Sequence, residues 1–244
     1  MNRQTRKLWI VVVSLAALML STAAQEGLAA QIPFSKAMII FEFNSSGPDL
    51  GIQVSLDGEP WKEIEVVDPK GRALLEIEAA GRLKKFGLTE LFAESNEPNF
   101  ADVSPEEILD RFPAGVYKFF GETVEGDKLQ GRGTLSHAIP DGPSMVLAQM
   151  VNDDIVISWV APPAFSSLTN LPIKIVGYQV IVEREDNSLL GAATRVFDVK
   201  LPNVTSVTVP LEFLEAGTEY KFEVLAIEEG GNQSITEGEP FQTQ

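Results

Sequence analysis

The chain predicts an all-β protein built as two tandem β-sandwich domains behind an export segment, and three observations carry that prediction. Hydrophobic and polar residues alternate over short runs separated by Gly, Pro, Asp and Asn, the period-2 pattern of strands with one buried face. The length, 244 residues, exceeds the usual size of one domain and suits two of about 100 each. Between the two patterned halves, Ala138-Ile-Pro-Asp-Gly-Pro-Ser144 sets two prolines around an Asp-Gly pair, which makes a short, stiff connector. The expected division is a signal over 1–30, a first domain over 31–139, a linker over 140–143 and a second domain over 144–244.

The first segment is read as a leader. Arg3, Arg6 and Lys7 precede an apolar run from Leu8 to Leu20, and small residues follow as far as Ala29-Ala30. Cleavage is expected after Ala30, with Ala24 as the alternative. The run is shorter than the roughly 20 residues that a spanning helix needs, so no stable membrane span is expected once it is removed. An exported protein of the periplasm, cell surface or extracellular space follows. The sequence contains no cysteine, which excludes disulfides, a lipid-modified cysteine and thiolate metal sites. Each domain must therefore be held by its own core.

Lys and Arg number 19 against 35 Asp and Glu, for a net charge of -16. Such a surface repels nucleic acid and anionic membrane, and its commonest meaning is solubility. Three Asn-x-Ser/Thr sequons, at Asn44, Asn203 and Asn232, are read as chance occurrences.

Within the first half, Met38-Ile-Ile-Phe-Glu-Phe43 is a strand that Asn44-Ser-Ser-Gly-Pro48 ends. Gly51-Ile-Gln-Val-Ser-Leu56 is a second, closed by Asp57-Gly58; Trp61 to Val67 is a third; Ala73-Leu-Leu-Glu-Ile-Glu78 returns after Asp68-Pro-Lys-Gly71. The pattern then breaks into a helical insertion near 81–112. Leu83, Phe86, Leu88, Leu91 and Phe92 fall at roughly helical spacing, although Gly87 interrupts them. Ser104-Pro-Glu-Glu107 reads as an N-cap with proline at the first helical position, and Pro113 ends that helix. Gly115 to Phe120 and Asp127 to Ser136 then form a hairpin around Val124-Glu-Gly-Asp127.

In the second half, Ile155-Val-Ile-Ser-Trp159, Ile175-Val-Gly-Tyr-Gln-Val-Ile-Val182, Val207-Thr-Val209 and Tyr220-Lys-Phe-Glu-Val-Leu-Ala226 each alternate an apolar face with a polar one. The last of these follows Ala216-Gly217. Ala114-Gly115 with Tyr117-Lys118-Phe119 repeats that arrangement one domain earlier.

Together with Pro143, Pro162-Pro163 and Gly231-Asn-Gln-Ser234, these strands resemble a fibronectin type III domain in order and spacing. The resemblance implies seven antiparallel strands in two sheets and core positions for Trp159, Tyr178, Leu214 and Tyr220, while the turn at Ala216-Gly217 is read from the residues themselves. It also implies a Tyr220 hydroxyl bonded back to nearby backbone. The first domain resembles an immunoglobulin-like sandwich carrying the helical insertion. Neither resemblance names a function, since these folds serve as spacers, adhesion modules and protein-binding modules.

Few residues point to chemistry. His137 is the single histidine and reads as an incidental surface residue beside the linker. Glu63, Glu65, Glu76 and Glu78 alternate on adjacent strands and could oppose one another as paired carboxylates, but a solvated sheet face has the same pattern. Trp61, with Glu63 and Glu65, is the candidate binding set, Trp61 being read as an exposed aromatic of the kind that stacks on sugars. For a metal, aspartates in turns suit calcium; Asp49, Asp57, Asp68, Asp127 and Asp141 qualify, and Asp153-Asp154 is the candidate pair. No other cofactor is expected. The reading is a non-enzymatic binding or structural protein that presents a β-sandwich to a protein or envelope partner. The alternatives are a carbohydrate-binding accessory module or glycan-acting enzyme, and a calcium-dependent envelope component.

Overall fold

The computed structural model describes residues 31–152, 154–185 and 194–243. The leader and Asp153 lie outside the described residues. In chain order the first half comprises β1 (Gln31–Pro33), β2 (Lys36–Asn44), β3 (Asp49–Val67), β4 (Ala73–Glu78), α1 (Leu83–Phe86), β5 (Leu88–Glu94), α2 (Pro105–Arg111), β6 (Gly115–Thr123) and β7 (Lys128–Leu135). The second half comprises β8 (Ser144–Val151), β9 (Asp154–Val160), β10 (Ile175–Arg184), β11 (Arg195–Pro202), β12 (Ser206–Val209), β13 (Glu219–Glu228) and β14 (Gln233–Gln242).

β3 organises the N-terminal domain. The sequence suggests two strands with a turn at Asp57-Gly58, yet the chain runs on as one 19-residue strand whose register shifts between Asp57 and Trp61. That irregularity bends the strand from one layer of a sandwich into the other. Before it, β3 lies between β2 and β5; after it, β3 lies between β4 and β6, and β7 and β1 continue that second layer. Ile39, Phe41, Ile52, Val54 and Leu56 from the first layer bury against Trp61, Ile64, Val66, Tyr117, Phe119 and Leu129 from the second. Each such side chain contributes about 1.5–3 kcal/mol by leaving water.

The insertion differs from a run of helix. α1 holds only Leu83–Phe86, and Gly87, at φ 81°, ends it. Leu88–Glu94 then becomes β5, hydrogen-bonded to β3 from Gln53 to Asp57 and at Trp61. Sheet pairing there overrides a helical spacing that the interrupting glycine had already weakened. α2 forms with Ser104 as its N-cap: the Glu107 amide donates to Ser104 Oγ at 3.3 Å, and Pro105 opens the helix. Glu107 turns its carboxylate to Arg111 instead of back toward the cap. Ile108 plugs the open end of the core, with Leu109 and Phe112 beside it.

The C-terminal domain is a two-layer sandwich of seven strands, β14-β13-β10-β11 against β12-β9-β8. Trp159, Tyr178, Tyr220, Phe222 and Val224 fill its core, and Leu214 packs on the edge of that core, partly buried. The Trp159 and Tyr178 rings lie 5.1 Å apart. Gly217 takes φ 71°, and from the turn it makes, the Glu215 amide donates to the Tyr220 hydroxyl at 2.8 Å.

The two domains are joined by more than their connector. β14 pairs in parallel with β2 at Gln233 with Glu42, Ser234 with Phe43, and Ile235 with Asn44, so one sheet of eleven strands runs through both domains. Asn232, 1% exposed, sits at the centre of this seam. Its side-chain oxygen accepts from the Phe41 amide at 2.8 Å, and its amide nitrogen donates to the carbonyls of Ser136 and Ala138, both at 3.0 Å, and to the Ser136 hydroxyl at 3.1 Å. An amide committed in this way is closed to a glycan in the folded chain. The Ser234 hydroxyl donates to the Pro140 carbonyl, and Thr236 Oγ1 to the Pro143 carbonyl at 2.7 Å. At Gly142 a Cβ would stand 2.0 Å from Ser45 Oγ and 2.3 Å from Thr236 Oγ1, so the connector can lie this close to the seam only with glycine there.

Candidate functional site

The outer face of the second N-terminal layer gathers four of the chain's strand glutamates. Antiparallel pairing sets Glu63 opposite Glu78 and Glu65 opposite Glu76, so four exposed carboxylates project from the same side of β3 and β4. Across the other edge of β3, Glu65 faces Phe120 and Glu63 faces Glu122 on β6. Phe120 keeps 40% of its surface exposed because its strand alternates Tyr117 and Phe119 inward. The result is an open groove of about 560 Å³ lined by the four glutamates, Ile64, Ile77, Phe120, Gly121 and Lys128. Helix α1 flanks it, with Lys84 Nζ 2.5 Å from a Glu78 oxygen. Glu122, at the other side, bonds to both Lys128 and Lys62, and these lysines hold its carboxyl down to about 2.

Phe120 also divides this groove from a second, of about 380 Å³, lined by Pro33, Lys118, Phe120, Gln130, Gly131 and Arg132. Register places Phe120 opposite Gln130 and Lys118 opposite Arg132. One sheet face therefore carries carboxylates on β3 and β4, an aromatic in its middle, and cations on β6 and β7.

Trp61 does not belong to this face. Its side chain is wholly buried in the N-terminal core, because the register shift at the bend of β3 turns it inward and leaves Glu63 and Glu65 outside. The aromatic of the site is Phe120. Its signal was Phe119-Phe120: in a strand of alternating faces, one of two consecutive aromatics must point to water. His137 is half-buried, its ring 5.7 Å from Phe41 and its Nε2 2.9 Å from the Phe112 carbonyl, so it closes the end of the core near α2 instead of standing incidentally on the surface.

A second acidic group lies beside the seam. Among the described residues, the carboxylates close enough to share one cation are Glu42, Glu94 and Glu97, whose oxygens lie within 4.8 Å of one another. Glu42 is 7% exposed and accepts from the Gln233 side chain, while the Gln53 amide donates to Glu94 at 2.9 Å. Burial, and the nearby Glu42, Glu94 and Asp49, push the Glu97 carboxyl up to about 7. Burial also raises Glu42, and burial together with Glu237 raises Asp49. One oxygen each of Asp49 and Glu97 is buried with no hydrogen-bond partner among the described residues.

Of the aspartates expected at a metal, Asp49 lies near this group. Asp154 begins β9 and is not one of that trio, and Asp153 is outside the described residues. Asp68 instead closes its own turn: it accepts from the amides of Lys70 and Arg72 at 2.8 Å and from the Arg72 guanidinium at 2.7 Å. Asp141 accepts from the amide and hydroxyl of Ser167 at 2.9 and 2.8 Å. No described helix is long and apolar enough to cross a membrane.

Comparison with known proteins places one half of the molecule. No curated protein matches the sequence. Among solved structures, the spore cortex lytic enzyme SleM of Clostridium perfringens is 19% identical over 43% of this chain, which spans 28% of that enzyme, with a TM-score of 0.30. The fn3 domain of the human collagen alpha-1(XX) chain is 25% identical over 44% of this chain and 89% of its own, with a TM-score of 0.32. The chicken CNTN1 FN1-FN3 domains align over 90% of this chain and 70% of theirs at 11% identity and a TM-score of 0.36. The family model of the fibronectin type III domain matches residues 141–244, and no family model matches the residues before them. The C-terminal domain, with its seven strands and its Tyr220 corner, is the part of the chain that matches the fibronectin type III family.

Proposed function

We propose that this is an exported, non-enzymatic protein whose fibronectin type III domain holds the N-terminal sandwich rigidly and whose N-terminal domain docks a protein or envelope partner through the face around Phe120. The observation that carries the reading is the directly opposed pairing of Glu63 with Glu78 and Glu65 with Glu76 beside an exposed aromatic. Like charges opposed across a ladder destabilise a sheet, so this arrangement costs the fold and is of use only to something outside it. The seam supports the reading too, because a domain tied by Asn232 and by strand pairing presents its face in one orientation. Capture from the exporting cell's envelope tests it. The intact protein is expected to retain a specific partner that Glu65→Lys, equally folded, does not. Identical recovery by both proteins would count against this face. Release of the mature protein with Gln31 or Gln25 at its N-terminus, found by sequencing the exported form, is the expected sign of export.

The calcium reading is favoured by one specific observation, the Glu42, Glu94 and Glu97 oxygens within 4.8 Å. Hard cations take carboxylate oxygens, and a bound ion would relieve the repulsion beside the seam. Millimolar calcium is then expected to raise the melting temperature, and Glu97→Gln to remove that response; an unchanged melting temperature would retire this reading. For a sugar-binding platform, Trp61 is in the wrong place, and Phe120 would have to serve alone.

A further inference from the structure

We infer that the partner of the Phe120 face includes a second copy of this chain, docked about a two-fold axis that lies in the interface and passes beside Phe120. The inference rests on the reading of this face as the docking surface and adds the identity of an occupant. Its ground is the division of charge. Reading across the strands, one row runs Glu76, Glu65, Phe120, Gln130, Pro33, and the adjacent row runs Val67, Lys118, Arg132. Glu78 and Glu122 are already matched by Lys84, Lys62 and Lys128. Glu63, Glu65 and Glu76 on one side, and Lys118 and Arg132 on the other, form no ion pair among the described residues.

A self-complementary face is what an isologous dimer requires, since residue i of one copy must meet residue j of the other and the reverse. Rotation about an axis beside Phe120 brings each Phe120 onto its counterpart and sets Lys118 and Arg132 of one copy over Glu65 and Glu76 of the other. The distances suit this. Glu65 and Arg132 lie on the strands flanking β6 on opposite sides, each about 4.8 Å from it. The net charge of -16 makes indiscriminate self-association unfavourable, so contact is confined to the region where the signs divide. Five strands span only about 20 Å, less than a standard interface, so the dimer is expected in the micromolar range.

Charge-swapped complementation tests this. Sedimentation of the full mature chain should show a concentration-dependent dimer. The double variants Glu65→Lys with Glu76→Lys, and Lys118→Glu with Arg132→Glu, should each lose at least about tenfold in self-association, and an equimolar mixture should regain it as a heterodimer. Phe120→Ser should weaken association without restoration by either partner. A wild-type chain that stays monomeric at several hundred micromolar, or folded variants whose mixture does not associate, would overturn the inference. If the wild-type chain is monomeric yet Glu65→Lys still abolishes envelope capture, the docking face stands and only its occupancy by a second copy falls.

Discussion

Tyr117 and Tyr220 hold equivalent places in two domains of which a family model matches only one. Each follows a glycine in the left-handed half of the map, Gly115 at φ 144° and Gly217 at φ 71°, and each is wholly buried on a strand central to its sheet. Each hydroxyl reaches back to the loop before its strand. Tyr117 donates to the Pro113 carbonyl at 3.1 Å, whereas Tyr220 accepts from the Glu215 amide at 2.8 Å. The same problem, bringing a loop over the end of a sandwich, is solved twice with the hydrogen bond reversed. The difference matters because a partly buried amide left without an acceptor is costlier than a carbonyl that loses one of its partners. The corner is shared, but the N-terminal domain differs around it: β3 bends through both layers, and α1, β5 and α2 lie between β4 and β6 in the chain.

The domains are coupled through the seam, and this can be tested from the largest effect downward. Trp61→Ala and Trp159→Ala should each cost about 3–5 kcal/mol, one in each core. In urea denaturation followed by fluorescence and circular dichroism, both should shift a single shared transition. Two separated transitions would mean that the continuous sheet does not couple the halves.

Asn232→Ala should cost about 2–4 kcal/mol, because it orphans the buried Phe41 amide and removes three donated bonds. It should also split the transition in two, which distinguishes a seam residue from an ordinary buried amide. A variant that melts in one step, within a degree of the parent, would break this account.

Tyr220→Phe should cost about 1–2 kcal/mol and Tyr117→Phe less than about 1. The order is the informative part: equal losses would mean that the direction of the hydrogen bond is irrelevant. Burial pushes the Tyr117 hydroxyl up to about 12, so Tyr117→Phe should remove a tyrosine absorbance change that appears only at strongly alkaline pH.

The smallest effect belongs to Glu122. Its folded carboxyl, held at about 2 by Lys128 and Lys62, lies below the ordinary 4.5. Its contribution is therefore present above the unfolded value and fades as pH falls through about 2. Glu122→Gln should lower the melting temperature slightly at neutral pH, where the contribution is present, and converge on the parent as pH falls toward about 2. A profile that matches the parent would assign the acid sensitivity to other carboxylates, with Asp68 the next to test.

Much of this molecule was legible before any coordinates. Period-2 alternation located four of the seven strands of the C-terminal domain, because each of those has one dry and one wet face, and Ala73–Glu78 and the Ser104 cap were equally plain for local reasons. What failed did so where local signals competed with long-range pairing. Leu88–Glu94 has a helical spacing but finds a hydrogen-bonding edge on β3. Trp61 follows a turn signal, Asp57-Gly58, that the chain absorbs as an irregularity within one strand. The glutamate face was visible as a pattern, while Phe120 was hidden in a pair of aromatics whose facing depends on register.

By itself, the sequence determined what local chemistry can specify: the alternation that makes strands, the glycine-led tyrosine corners, the helix cap, the absence of cysteine and the excess of acid. Tertiary structure alone decided which strands meet. It turned Trp61 inward, brought Glu42 together with Glu94 and Glu97 from two separate stretches, and made Asn232 the tie between domains through contacts more than 90 residues away in the chain. The physical reason is range. A residue's own neighbours set its backbone preference and the face it offers, but strand partners are chosen by burial summed over the whole chain.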